Sequence, residues 1–433
     1  MALQHITIVG AGWAGLSAAV AAVQQGWQVT LYEAAAEPGG RARALPQTFA
    51  GLPLDNGQHI LIGAYQQTLQ LMRTVGVEPE QVLQRLPLDL RDTQGQGLHL
   101  TDWPAPFNVL AGIYTAGGWT WHDKTQLLKA CWQWQRMGFD CDSDWTVQRL
   151  NDHAALTDRV ITQLIEPLCL SALNTPMHQA SARVFLRVLH DALLTDPGSS
   201  DLLIPRVDLG AVFPNACLSW LAARGARIRL GQRRDAHDIS THLSTHDARH
   251  PLLIACPSRE AARLVSDHHP AWAQQAQALA TEAIATVYMQ CTDPGFRGLP
   301  RPMVALASKA QAPAQFVFDR GLLNGQKGLL AAVVSASQGT REEIAQQVRQ
   351  QVADQLGVSS LEVVQTVVEK RATLACTPGL RRPEAFIAPG LWACGDYVDG
   401  PYPSTLEGAV RSGQQVIAQV CDMAHGEGLR LGM

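Results

Sequence analysis

The segment that decides the fold is His5-Ile-Thr-Ile-Val-Gly-Ala-Gly-Trp-Ala-Gly15, read together with its continuation to Glu33. Residues 5–9 form a short apolar run with β-branched side chains, the pattern of a buried strand. Gly10, Gly12 and Gly15 then follow at G-x-G-x-x-G spacing. Residues 16–25 are Ala-rich and helix-forming, and Gly26 suits the position just past a helix end. Residues 27–32 read as a second strand, closed by Glu33 eighteen residues after Gly15. The glycine pattern alone is weak. Between a strand and a helix, with an acid at that distance, it has the context of a dinucleotide-binding unit. The glycines admit a pyrophosphate close to the backbone, and the helix start offers unpaired N–H groups to it. Glu33 is then the acceptor for a ribose diol.

A second glycine pair with an arginine, Pro38-Gly39-Gly40-Arg41, comes next. Arg41 can donate to phosphate in a fork geometry. Two glycine loops and an arginine suit a cofactor with a long diphosphate–ribityl arm, FAD rather than NAD.

Composition narrows the class. The chain has 433 residues, 46% of them hydrophobic, enough for a large core and about two domains. The net charge of −4 argues against nucleic acid as a partner. Nine scattered cysteines, an odd number with no CxxC, fit a reduced cytoplasmic protein better than a disulfide scaffold. Residues 6–23 carry no charge and are long enough to be a membrane-span candidate. No Lys or Arg precedes Arg41, so the basic flank of a signal peptide is missing. The glycines explain the segment better, and neither a signal peptide nor a span is expected.

The expected fold is α/β: a Rossmann-like cofactor domain in three discontinuous segments, 1–63, 204–265 and 385–425. An α+β substrate domain is inserted twice, at 64–203 (mainly helical) and 266–384 (mixed sheet). Asp55-Asn-Gly-Gln-His59 is a polar turn joining two strand-like pieces. Helices are expected at 66–75, 124–137, 217–224, 259–265, 341–356 and 405–423, with another at 157–173 interrupted at Pro167. Strands are expected at 226–230, 251–256, 286–290, 315–318, 328–335, 362–368 and 391–394, the last lying beside residues 5–9. Ser404 and Glu407 have capping-box spacing. Leu406, Ala409, Val410, Gly413, Val416, Ile417 and Val420 make a core-facing helical stripe.

Gly10/Gly12/Gly15 with Glu33, Gly39-Gly40-Arg41, and the late Gly395-Asp396 with Glu407-Gly408-Ala409 resemble the FAD-dependent amine oxidase and phytoene desaturase superfamily. The stretches Leu54-Asp-Asn-Gly-Gln-His-Ile-Leu-Ile-Gly63 and Gly395-Asp-Tyr-Val-Asp-Gly-Pro-Tyr-Pro-Ser-Thr-Leu-Glu-Gly408 resemble the hydroxysqualene dehydroxylase family, over essentially the whole chain. That resemblance implies reductive removal of the hydroxyl of hydroxysqualene, a C30 isoprenoid, giving squalene for hopanoid synthesis. It also implies non-covalent FAD, held by Gly10, Gly12, Gly15, Glu33, Gly40, Arg41, Gly57, Gln58, Gly395, Asp396, Thr405 and Leu406. The electron donor is not named by the sequence. Relatives often place a Val where Arg233-Arg234 stand here, which leaves the adenine contact unassigned.

An allylic hydroxyl leaves when its C–O bond is weakened by a proton, and the carbon then takes a hydride from reduced flavin. His59, Tyr65, Asp399 and Tyr402 are the candidate acids. Each also has a bland role: a turn histidine, a core tyrosine, loop chemistry around Gly400-Pro401. Six of the eleven tryptophans lie between 103 and 145, with Lys124, Lys129 and Arg136 among them. They suit a peripheral membrane contact through 103–139, on the inner face, by which a lipid substrate enters; they also suit a helical core. His237, His242, His246 and His250 read as a solvated connection rather than a metal site, and no metal is expected. Two other readings stay open: an oxidative desaturase or amine oxidase on the same fold, and a non-catalytic flavin-binding prenyl-lipid carrier.

Overall fold

The structure, a computed structural model, describes residues 4–245, 250–358 and 360–430. A six-stranded sheet runs in the order Phe386–Ala388, Leu391–Ala393, Leu252–Ile254, His5–Val9, Gln28–Tyr32, Arg227–Arg229. All but the Phe386–Ala388 edge are parallel. Three separated stretches of chain therefore build one sheet, as the sequence pattern predicts. The strand order differs from expectation in one place. Leu391–Ala393 pairs with Leu252–Ile254, which stands between it and His5–Val9. Strand patterning identifies a buried strand but carries no information on which neighbour it takes.

Helix Trp13–Gln24 is apolar on all sides because it is covered on all sides. One side meets the sheet and another meets the last helix, Leu406–Arg430. A Cβ on Gly413 would stand 2.3 Å from the Ala14 carbonyl oxygen. Ser17 Oγ donates to the Val410 carbonyl at 2.9 Å. Val410, Val416, Ile417 and Val420 are buried along the expected stripe.

The second sheet is antiparallel, in the order Met303–Ala305, Phe316–Asp319, Leu329–Ser335, Thr281–Cys291, Leu361–Leu374. Its side chains alternate between two cores. Val287, Met289, Leu330 and Ala332 face helix Arg341–Leu356, whereas Tyr288, Leu329 and Ala331 face the helical region that includes Trp121–Arg136 and Ala182–Leu193.

Packing moves two proposed boundaries. Helix Gln66–Thr74, placed by sequence in the substrate domain, buries Leu69, Leu71 and Met72 in the nucleotide-side core and lies against the last helix. Helix Pro270–Gln277 buries Trp272, Ala273 and Ala276 with the strands Leu252–Ile254 and Leu391–Ala393. The break expected at Pro167 appears as a π-turn at Ile161–Ile165, just before it. That widened turn relieves the clash of a proline ring with the preceding carbonyls. The histidine-rich connection is a helix, Ala236–Thr245, anchored by buried Ile239. His246 lies outside the described residues. Among the described residues no cluster of three or more His, Cys, Asp or Glu could hold a metal ion, and no helix is long and apolar enough to cross a membrane.

Candidate functional site

The site forms where the glycine loops converge. Gly10 has a φ of +115°, and a Cβ there would lie 2.6 Å from the Ala255 carbonyl oxygen. A Cβ on Gly15 would fall 1.9 Å from the Gly10 carbonyl oxygen, so strand and helix meet at glycine distance. Gly12 differs: a Cβ there would find only the Gly40 Cα, 3.9 Å away. The gap between the two glycine loops is thus a cradle that any side chain would fill.

The loops are stitched together beside that gap. The Gly39 N–H donates to the Ala11 carbonyl at 2.8 Å. Trp13 Nε1 donates to the Ala42 carbonyl at 3.1 Å. Glu33 accepts from the Ala11 N–H at 2.7 Å and from the Ala35 N–H at 2.8 Å, which fixes the acid at the sheet edge of the first loop. The Trp13–Gln24 helix has Gly12 as its N-cap, no side-chain cap and no acid in its first turn. Its first N–H groups and positive dipole end suit a diphosphate. Arg41 reaches across the loops and pairs with Asp396, whose side chain is 9% exposed. These donors, the cradle and Glu33 beyond it fit a flavin cofactor.

Gly395 and Asp396 follow the strand Leu391–Ala393. A Cβ on Gly395 would meet the Tyr397 ring at 2.7 Å, so the loop needs glycine for packing. The Gly395 N–H donates to Ser412 Oγ at 3.1 Å. The cap of the last helix departs from the sequence reading. Ser404 Oγ accepts from the Leu374 N–H at 2.7 Å. Thr405 Oγ1 accepts from the Gly408 N–H at 2.8 Å, so Thr405 is the cap and Leu406 opens the helix. Glu407, 1% exposed, turns to another helix and accepts from the Gln67 and Thr68 N–H groups. Local spacing showed an S-x-x-E pattern; the tertiary partner outcompetes it.

The Asp55–His59 turn is held from beneath. Asp55 is 2% exposed and faces Arg320, 0% exposed, at 3.4 Å. Leu209 N–H donates to Asp55 Oδ1 at 2.8 Å. Burial pushes the Asp55 carboxyl up to about 6, with Arg320 and the Leu209 N–H opposing. Gly57 has a φ of +90°, and the Gln58 N–H donates to Thr286 Oγ1 at 3.3 Å. His59 is half-buried, with Nδ1 3.1 Å from the Gly57 carbonyl oxygen. Burial lowers its pKa, the Gly57 hydrogen bond opposes this, and Arg41 adds to the lowering.

The other acid candidates separate. Asp399 projects outward at 72% side-chain exposure, opposite Arg382 at 3.5 Å. It lines an outer cavity of about 280 Å³ with Phe386, Ser412 and Gln419. That position is at the surface of its loop, with Arg382 as its charged partner. Tyr65 forms the N-cap position of Gln66–Thr74 and packs on the nucleotide-side core. Burial, aided by Glu407, raises its phenol. Tyr402 donates its hydroxyl to Asp191 Oδ2 at 2.8 Å, and Asp191 Oδ1 lies 2.8 Å from His190 Nδ1. Burial first, then Asp191, raises the Tyr402 phenol. Arg411 stacks 5.1 Å over its ring and bonds Glu407 at 2.6 Å. Asp191 and Arg320 were invisible to motif reading. Arg320 did carry one signal, an Asp-Arg pair, Asp319-Arg320, directly after the apolar run Phe316-Val-Phe. Arg233 pairs with Glu260, and Arg234 stacks 4.6 Å over Tyr32.

Comparison with known proteins agrees with this geometry. The family model for flavin containing amine oxidoreductase matches residues 13–421. The hydroxysqualene dehydroxylase of Rhodopseudomonas palustris is 26% identical over 95% of this chain and 96% of its own length. That of Zymomonas mobilis is 27% identical over 96% and 98%. The crystal structure of an oxidoreductase from Methanosarcina mazei superposes with a TM-score of 0.69 at 14% identity, covering 96% of this chain and 100% of that one. With a match running from the start of helix Trp13–Gln24 through the second glycine loop and into the last helix, the chain belongs to the flavin containing amine oxidoreductase family.

Proposed function

We propose that this flavin-dependent oxidoreductase holds FAD non-covalently and removes the hydroxyl of hydroxysqualene to give squalene. The observation that carries the reading is the end-to-end likeness to dehydroxylases of that name, at 25–27% identity over about 95% of the chain. FAD rather than a shorter flavin is supported by the paired glycine loops: Gly12 and Gly40 for the diphosphate, Glu33 for a ribose, Arg41 and Asp396 for the arm between. Gly10, Gly15, Gly57, Gln58, Gly395, Thr405 and Leu406 shape the walls.

When bound and reduced, the flavin supplies the hydride. The chain supplies the rest: orientation, a proton for the departing hydroxyl, and exclusion of water. The hydroxyl leaves as water and the allylic carbon gains the hydride. Tyr402 and His59 are the two groups we assign to hold that proton. Tyr402 stays protonated across the neutral range, while His59 is mainly neutral there.

The substrate is a lipid, and the surface offers it an entry. The tryptophans divide: Trp119 and Trp134 are core, whereas Trp103, Trp121 and Trp132 are 61%, 67% and 60% exposed. Phe107 and Tyr114 join them. Lys124 lies over the Tyr114 and Trp121 rings and Arg136 over Trp132. The single acid of 103–139, Asp123, is buried as a helix-cap partner. We place this aromatic and basic face, helices Phe107–Thr115 and Trp121–Arg136, against an anionic bilayer.

The test is anaerobic. The flavin is reduced chemically and hydroxysqualene is added. Squalene formed in step with flavin reoxidation supports the reading. In a parallel anaerobic arm the flavin is left oxidised: bleaching by a saturated substrate or an amine, with no squalene formed in the first arm, would mean a desaturase or amine oxidase, and no flavin turnover in either arm a carrier.

A further inference from the structure

Arg320 is the largest fully buried side chain of the molecule's described residues, and it is a cation. Its guanidinium spans three partners. Nη2 faces Asp55 Oδ2 at 3.4 Å, Nη1 donates to Gln58 Oε1 at 3.1 Å, and Nε donates to Gln326 Oε1 at 3.3 Å. Gln326 in turn donates to the Phe49 carbonyl at 3.2 Å. Asp55 and Gln58 both belong to the turn that ends at His59; Arg320 begins the helix Arg320–Asn324 of the other sheet's domain. The cation therefore joins the two halves of the molecule under that turn.

Chemistry sets the direction of the Gln58 amide. Arginine has donors only, so Gln58 must turn its oxygen to Arg320 and keep its nitrogen for other partners. One N–H goes to the His59 carbonyl at 3.2 Å. Gly57 stands at positive φ and the Gln58 N–H is held by Thr286, so the turn is fixed from below through its backbone as well as through the Gln58 amide. We infer that Arg320 is a positioning residue: through Gln58 it fixes the Gly57–His59 turn, and with it the donors and ring that this turn presents to the flavin. The inference rests on the reading above that this turn lines the flavin.

A purely structural pin would show the same burial, so the test must read the flavin itself. Arg320→Lys keeps a charge opposite Asp55 but cannot reach three partners in one plane. Gln58→Leu removes the amide and leaves the Asp55–Arg320 pair in place. In the FAD-loaded full chain, both variants should shift the visible flavin bands and the midpoint potential in the same direction. The double variant should shift them no further, because both act through one contact. Flavin reoxidation by substrate should slow about 10- to 100-fold, with KM little changed, as for a small misplacement of reacting groups. A folded Arg320→Lys protein with wild-type bands and potential overturns the proposal, as do additive shifts. If Arg320→Lys does not fold, Gln58→Leu decides alone: wild-type bands and potential in it overturn the proposal. These spectra need no substrate, so they stand or fall separately from the dehydroxylase reading.

Discussion

Arg41 and Asp396, 355 residues apart in sequence, meet as an ion pair at the mouth of the glycine cradle. The pair joins the second glycine loop to the loop before the last helix, so one contact tests both ends of the cofactor site we propose. Arg41→Ala and Asp396→Ala should each weaken FAD retention about 10- to 100-fold. That is the loss of one or two charge-assisted hydrogen bonds, about 1.5–3 kcal/mol. Flavin content after gel filtration, and FAD titration into the stripped protein, measure it. Asp399→Asn should retain FAD fully.

Glu407 accepts from the backbone N–H and the hydroxyl of Thr68, at 2.9 and 2.8 Å. Removing it strands the start of helix Gln66–Thr74 and frees Arg411. Glu407→Ala should cost about 2–4 kcal/mol in urea unfolding, the range for a buried acceptor with a paired cation. Thr405→Ala, which removes the true cap, should cost about 1 kcal/mol. A larger loss for Ser404→Ala than for Thr405→Ala would contradict the cap assigned here.

The acid can be chosen by pH. Burial holds the His59 pKa below its usual 6.5. If His59 supplies the proton, single-turnover flavin reoxidation should climb as pH falls below 6.5. If Tyr402 supplies it, the rate should be flat from about pH 6 to 9, because its phenol is raised above the ordinary tyrosine range. Tyr402→Phe should then lose about 10²- to 10⁴-fold in rate, the usual worth of a general acid.

His59 also links stability to pH. A histidine whose pKa is lower in the folded than in the unfolded chain stabilises the fold above pH 6.5. That contribution is lost as pH falls through the folded value, because the unfolded chain binds more protons. Melting temperature should decline below pH 6.5, and His59→Asn should flatten that limb. A limb unchanged in the variant would assign it to other groups.

The membrane face predicts flotation with phosphatidylserine vesicles that weakens as salt rises. Trp121→Ser with Trp132→Ser should reduce bound protein at least tenfold while flavin content stays constant. Equal flotation by wild type and variant would remove the surface from the account.

Much of this fold was legible because its signals are local. A strand, three glycines, a helix and an acid at fixed offsets leave few alternatives over residues 5–33. The last helix announced itself by its apolar stripe. What remained hidden is tertiary. Strand order at Leu391–Ala393 depends on Leu252–Ile254 occupying the place beside His5–Val9. Gln66–Thr74 looked like the start of a helical domain, but its capping acid comes from residue 407. Asp399 and Tyr402 are three residues apart in one loop and point to different surroundings, solvent for one and Asp191 for the other. No spacing rule separates them. The Trp-rich region divided for a related reason: along helix Trp121–Arg136, helical phase buries Trp134 and exposes Trp121 and Trp132.

The central claim is that hydride from the reduced flavin replaces the hydroxyl of the lipid. The direct measurement reduces the flavin in D₂O, where its N5 hydrogen exchanges with solvent, and adds hydroxysqualene without oxygen. The account predicts squalene carrying one deuterium at the carbon that bore the hydroxyl, one molecule for each flavin reoxidised. Squalene without deuterium, or flavin that stays reduced in the presence of substrate, would contradict it.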